Sequence, residues 1–281
     1  MTLYVSDLDG TLLNRQGQLS DTTREGLVEL LDQGLVFTVA SARHVVSIRQ
    51  LLAGLPLSLP VISSNGAFIS DLATGRHELV HGMDGALGEA LFALVRRHGQ
   101  LPFLSVHTPE GDRLCWQGVE NEGQQHFVDE RLLNGDPRLR QCTDLSRELS
   151  AGPLMTLVVV GPHGLLQVLH DDIQAQFGDA VCCHLNEDLY RPDWPWLTVH
   201  DRRATKDQAI RILAQRYGLS DREVVVFGDQ VNDITMLRAA HRGVAMANAI
   251  DEVKAQAQAV IGHHDEDAVL AFLRQEWAGR R

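Results

Sequence analysis

Thr2-Leu3-Tyr4-Val5-Ser6-Asp7-Leu8-Asp9-Gly10-Thr11 begins as a short run of apolar, aromatic and β-branched residues and breaks at the turn-forming pair Asp9-Gly10. It reads as a buried strand whose end delivers two carboxylates, Asp7 and Asp9, into a loop. Downstream, Ser20 or Asp21 caps a helix with Leu27, Leu30 and Leu31 at helical spacing and Gly34 just past its end. Leu35 to Ala40 is a continuous apolar run, as expected of a strand buried on both faces. A second helix through Val45, Ile48, Leu51 and Leu52 leads to a third strand, Val61 to Ser63. The order β-α-β-α-β predicts a parallel sheet with helices on both sides.

The same rhythm returns near the C-terminus. Helix patterns at Ala204 to Tyr217, Asp233 to Ala240 and Asp265 to Trp277 alternate with strand patterns at Val224 to Phe227 and Val244 to Met246. Between the halves the texture changes to longer loops with more charge and aromatic residues. Strands are expected near Phe103 to His107, Arg113 to Trp116 and Thr156 to Val160, and helices near Ala86 to Arg97 and Leu165 to Gln176. The predicted fold is therefore α/β: a doubly wound, mainly parallel, Rossmann-like core (1–82 plus 192–281) interrupted by an inserted α/β domain (83–191).

Bulk properties narrow the function. The chain has 281 residues, 44% of them hydrophobic, enough for a substantial core. A formal net charge of -12 disfavours nucleic acid and anionic membrane partners, because an acidic surface repels both. Small molecules fit better, and a phosphorylated one would demand local positive charge. No secretory signal or membrane-length apolar stretch is read, so the expected location is the cytoplasm. Oligomeric state is not legible. Cys115, Cys142, Cys182 and Cys183 lack C-x-x-C spacing, which suits a reducing compartment. Cys182-Cys183-His184 suggests zinc only superficially, since consecutive strand residues face opposite ways; a buried strand end is the reading adopted.

In an open parallel sheet, ligands bind beyond the carboxyl ends of the strands. At those places stand Asp7, Asp9, Gly10 and Thr11; Ser41, Ala42 and Arg43; Ser64, Asn65 and Gly66; and Gly228, Asp229, Asn232 and Asp233, with Lys206 opening the helix between. Each has a plain structural reading alone: a turn at Asp9-Gly10, a helix N-cap at Ser41, a hairpin turn at Asn65-Gly66, a solvated lysine, an acidic first helical turn. Their joint placement is what carries weight.

On these residues the chain resembles the haloacid dehalogenase superfamily, in particular its Cof-like branch of sugar-phosphate and nucleotide phosphatases. VSDLDGTLL is similar to the first motif, VASAR to the second, Lys206 to the third and GDQVNDITML to the fourth; ISSNGAFI and GVAMANA also look like stretches of this branch. The resemblance implies a Mg²⁺-dependent phosphatase of small phosphorylated metabolites. Asp7 would be the nucleophile, Asp9 the acid/base, and Asp7, Asp229 and the backbone carbonyl of Asp9 the metal ligands. Ser41, Ala42, Arg43, Asn65, Gly66, Lys206 and Asn232 would bind phosphate or substrate, with Thr11 and Asp233 in support. The insert would be a mobile cap that selects the substrate, with Arg191, Trp194, Trp196, His184 and Asn186 as candidate contacts, although packing is an equal reading for the tryptophans. The chain departs from the pattern at Ala42, where a negative φ is required, at Asp207 and at Asp267-Ala268. Competing readings are a phosphomutase or phosphotransferase with the same groups, and a receiver-type module that stores phospho-aspartate.

Overall fold

Strand β1 (Thr2–Ser6) is buried along its whole length, as a central strand with apolar side chains on both faces should be. Helix α1 (Asp21–Asp32) starts where the Ser20 hydroxyl accepts the Thr23 N–H at 2.9 Å, buries Leu27 and Leu30, and stops before Gly34, whose φ of +93° favours glycine. Strand β2 (Val36–Val39) and helix α2 (Val45–Leu51) follow, then β3 (Val61–Ser63), β4 (Phe68–Ser70) and β5 (His77–Val80). The expected third parallel strand is corrected here. β3 meets the parallel sheet only through an isolated bridge between Ala40 and Ile62, because the Ser64–Gly66 turn folds the chain back and pairs β3 antiparallel with β4.

The chain then forms α3 (Gly85–Arg97), β6 (Phe103–Thr108), β7 (Gly111–Trp116), α4 (Glu122–Leu133), β8 (Leu139–Gln141), β9 (Leu154–Val160), α5 (His163–Phe177), β10 (Val181–Asn186) and β11 (Trp196–Asp201). It closes through α6 (Lys206–Arg216), β12 (Glu223–Gly228), α7 (Ile234–Ala239), β13 (Arg242–Ala245), α8 (Asp251–Lys254), β14 (Ala259–Val260) and α9 (Ala268–Ala278). This computed structural model describes residues 2–186 and 193–279. Two units result, Met1–Val80 with Thr205–Arg281, and His81–Ala204. The return to the first unit falls later than the expected 191/192, because β11 pairs antiparallel with both β9 and β10 and so belongs to the insert.

In the first unit, five parallel strands stand in the order β14-β13-β12-β1-β2. The chain runs from β1 outward to β2 on one side and later returns to β12 on the other, so the carboxyl end of β1 lies at a topological switch point, where such sheets bind ligands. Helix α9 starts later than the periodicity suggests. Asp267 adopts a left-handed φ of +53°, which a short polar side chain tolerates, and its carboxylate accepts hydrogen bonds from the hydroxyls of Ser20 and Thr23.

The insert is a six-stranded sheet, β10-β11-β9-β6-β7-β8, antiparallel except for β7 beside β8. One face packs against α3 and α5 through Leu94, Leu166, Leu157, Val159 and Val199. Part of the other packs against α4 through Phe127, Phe103 and Trp196. Helix α4 has little apolar periodicity, burying only Gly123, Gln124, Phe127 and Val128, which is why the sequence did not announce it. Among the described residues, no helix is long and apolar enough to cross a membrane.

Candidate active site

All the groups gathered here belong to the first unit. Asp7 follows β1 directly, its N–H donating to the Phe227 carbonyl at 2.9 Å, which ties the ends of β1 and β12 together. Gly10, at φ +71°, then turns the chain so close to Asp229 that a Cβ would collide with that carboxylate. Thr11 Oγ1 donates to Asp229 Oδ1 at 2.8 Å. Gly228, at the end of β12, likewise has no room for a Cβ beside Asp233. Two glycines thus allow three acids to crowd together.

Lys206 joins them from the start of α6. Its fully buried ammonium donates to Asp7 Oδ1 and Asp233 Oδ1, each at 2.6 Å. Asp233 Oδ2 accepts the N–H groups of Asp229 and Gln230 at 2.9 and 3.1 Å, so one carboxylate fixes both the lysine and the loop after β12. Carboxylate oxygens of Asp7, Asp229 and Asp233 lie within 4.8 Å of one another.

Electrostatics follow from that crowding. Burial drives Asp7 well above the usual carboxylate range; Lys206 opposes the shift, while Asp233, Asp229 and Asp9 reinforce it. Asp229 is pushed up to about 7, first by burial and then by Asp233, against the Thr11 hydrogen bond and Lys206. Burial pulls Lys206 down, yet Asp233 and Asp7 outweigh it and raise the ammonium above its ordinary value. An isolated ion pair would shift its two members in opposite senses. Here both rise, because three buried acids face one ammonium and negative charge is in excess.

Asp9 behaves differently. It is partly exposed, and its carboxylate is gripped by Arg43, Nε to Oδ2 and Nη2 to Oδ1, both at 2.7 Å. Its side chain therefore lies outside the three-acid cluster, and Arg43, expected on phosphate, is occupied with Asp9. Ser41 is buried, and its Oγ accepts the Arg43 N–H at 3.1 Å; the cap of α2 is His44, not Ser41. Ala42 is exposed and absent from the positive-φ residues, so the substitution for glycine is accommodated. Ser64, Asn65 and Gly66 form a left-handed run with φ of +50°, +56° and +100°, and the last meets the Thr205 backbone where a Cβ would not fit. Asn65 Oδ1 accepts from Asn232 Nδ2 at 3.0 Å. The Asn65-Gly66 segment is thus a hairpin turn and also a partner of the fourth cluster. Asp207, beside the lysine, leaves Oδ1 buried without a hydrogen-bond partner among the described residues.

Sequence reasoning missed Asn248, whose Nδ2 donates to the Gly10 carbonyl at 2.7 Å while its Oδ1 accepts the His264 N–H at 3.1 Å, steadying the turn that carries Asp9. The only available signal was its position within GVAMANA. Among the expected insert contacts, Trp196 stacks edge-on against Phe127 at 5.0 Å and Trp194 lies where a side chain on Gly123 would go, so both tryptophans pack within the insert. His184 and Asn186 lie on β10. Arg191 lies outside the described residues.

A family profile described as haloacid dehalogenase-like hydrolase matches residues 4–273. The chain is 25% identical to the 5-amino-6-(5-phospho-D-ribitylamino)uracil phosphatase YwtE of Bacillus subtilis, over 100% of this chain and 99% of that protein. It is 28% identical to the pyridoxal phosphate phosphatase YbhA of Escherichia coli, over 95% of each. Among solved structures, TM0651 from Thermotoga maritima is similar with a TM-score of 0.79 and 25% identity, covering 98% of this chain and 97% of that one.

Proposed function

We propose a mechanism and a substrate class from one premise: the chain belongs to the haloacid dehalogenase-like hydrolases and is a phosphoric monoester hydrolase. The reaction proposed is Mg²⁺-dependent hydrolysis of small phosphorylated metabolites through a phosphorylated Asp7. The observation that carries it is the excess of buried carboxylate over ammonium at the end of β1. Hard oxygen donors in that surplus are what a magnesium ion takes, and a divalent cation would offset the charge that Lys206 alone leaves unmatched. Asp7, Asp229 and the backbone of Asp9 would hold it, and its chemistry there would be to neutralise the phosphate dianion so that an anionic nucleophile can approach.

Asp7 attacks phosphorus in line, the P–O bond to the leaving group breaks, and the phosphoryl group rests on its carboxylate. Asp9, when protonated, gives its proton to the departing oxygen and in the second half-reaction takes one from water. Arg43 positions the Asp9 side chain beside that task. Lys206 and the Ser41 hydroxyl hold the transferring oxygens, with Asp233 aiming Lys206. The groups of the first unit address only the phosphoryl group, so the choice of substrate is assigned to the insert, as a cap. The two named relatives act on molecules that carry phosphate on an arm of a heteroaromatic ring, and that class is the first to try. A screen of phosphorylated metabolites with Mg²⁺ and with EDTA tests the proposal. Phosphate release that needs Mg²⁺ is expected; release unaffected by EDTA would overturn the metal role, and none from any substrate would overturn the hydrolase reading.

A further inference from the structure

Strand alternation separates Cys183 from its neighbours and points it into the packed face beneath α5, among Leu197 and Val199. The same alternation places Cys182 and His184 together on the opposite face. Across the ladder, His200 of β11 is the direct antiparallel partner of Cys182, and His184 pairs with Thr198, so all three side chains emerge on one face of a two-stranded segment. Cys182 Sγ and a ring nitrogen from each histidine lie within 4.8 Å of one another, and the two imidazole centroids are 5.3 Å apart.

The state of His200 gives this cluster a direction. The ring is 1% exposed. Its Nδ1 lies 3.2 Å from the Asp201 carbonyl, which can only accept, so Nδ1 carries the proton and Nε2 presents a bare lone pair. That Nε2 is buried and has no hydrogen-bond partner among the described residues. Leaving a buried acceptor unsatisfied is destabilising, and a bound cation would remove that cost. An imidazole that donates one nitrogen to a backbone carbonyl and keeps the other bare, beside a thiol and a second imidazole, has the arrangement of a metal ligand.

We propose that Cys182, His184 and His200 form a site in the insert for a zinc-class cation, separate from the carboxylate cluster and independent of the phosphatase reading. One thiolate and two imidazoles are borderline-soft donors that select Zn²⁺ and its surrogate Co²⁺ over Mg²⁺. Three protein ligands leave a fourth position for water or an anionic group. Bonds of about 2.0–2.3 Å set ligand separations at about 3.3–3.8 Å, so side-chain adjustments of about an ångström close the site. It would pin β10, the edge strand of the sheet, to β11.

The test is a Co²⁺ titration of the full chain in excess Mg²⁺, which keeps the carboxylate cluster supplied, followed by back-titration with Zn²⁺. A thiolate-to-cobalt charge-transfer band, saturating at one equivalent and displaced by Zn²⁺, is expected. Cys182→Ser should abolish it, and His184→Ala and His200→Ala should weaken binding by about 10–100-fold or more. Cys183→Ser, whose thiol faces the other way, should leave it intact. No band in the wild-type chain, a band that survives Cys182→Ser, or one lost instead in Cys142→Ser would overturn the proposal. Circular dichroism of each variant guards against misfolding, and should His200→Ala fail to fold, the contrast between Cys182→Ser and Cys183→Ser decides alone.

Discussion

The two units place buried polarity differently. In the first, polar groups are concentrated at strand ends and bound to one another: Lys206 to two carboxylates, Asp233 to two backbone N–H groups, Thr11 to Asp229. The insert is an apolar sandwich over most of its sheet, and its polar side chains are spread across the sheet face and not gathered at strand ends. A network tied together from three distant segments is expensive to rearrange and suits chemistry common to a family. A sheet face whose polar residues meet only across strands can be altered residue by residue, which suits what differs between relatives.

Breaking the network should therefore cost chemistry first. Asp7→Asn removes the proposed nucleophile while preserving volume, and Mg²⁺-dependent turnover of an aryl phosphate should fall by roughly 10⁴-fold or more, read as initial rate. Lys206→Met should lower kcat by about 10²–10³-fold and also destabilise the chain by about 3–5 kcal/mol in denaturant unfolding, because it leaves two buried carboxylates uncompensated. A loss of activity without loss of stability would mean that the network is less tightly coupled than its geometry states.

Proton linkage offers a reading without substrate. Burial holds the proton on Asp229 up to about 7 in the folded chain against an ordinary 3.8, so between those pH values the native state binds more protons than the unfolded one and stability falls as pH rises. Without metal, Asp229→Asn removes that penalty. Its stability relative to wild type should climb by a few kcal/mol from pH 4 to pH 8, measured by urea unfolding in EDTA. With Mg²⁺ present the wild type should recover most of the difference.

Smaller effects sharpen the contrast. In the insert, Trp196→Ala should destabilise by about 1–3 kcal/mol through lost packing on Phe127 while kcat on an aryl phosphate stays within about 3-fold. At the rim of the first unit, Arg43→Ala breaks a half-exposed pair and should cost less than about 1 kcal/mol of stability, yet lower kcat about 10-fold by freeing Asp9. Equal effects on stability and rate would remove the positioning role of Arg43.

The sequence disclosed most where function lies in contiguous residues behind a strand. Asp7, Asp229 and Asp233 were legible because each follows a recognisable buried run, and the structure brings them together. Lys206 was weak alone, since a lysine at a helix start is ordinarily solvated. The Arg43 grip on Asp9 and the Asn248 bond to Gly10 were not legible, because each joins side chains whose directions are set by loop geometry. The antiparallel pairing of β3 is not legible either, because apolar content does not encode which edge a short strand will meet. The Cys182, His184 and His200 trio is hidden for a related reason: alternation along β10 places only Cys182 and His184 on one face, and the third member arrives through the register with β11.

The central claim is that the phosphoryl group passes through Asp7. Asp9→Asn enzyme, mixed with substrate and Mg²⁺ and quenched in acid, should accumulate phosphoenzyme, and mass spectrometry of its peptides locates the modified residue. Phosphate on Asp7 is the predicted result. Phosphate on another residue, or substrate turnover by the wild type with no phosphoenzyme trapped at any time in either protein, would contradict it.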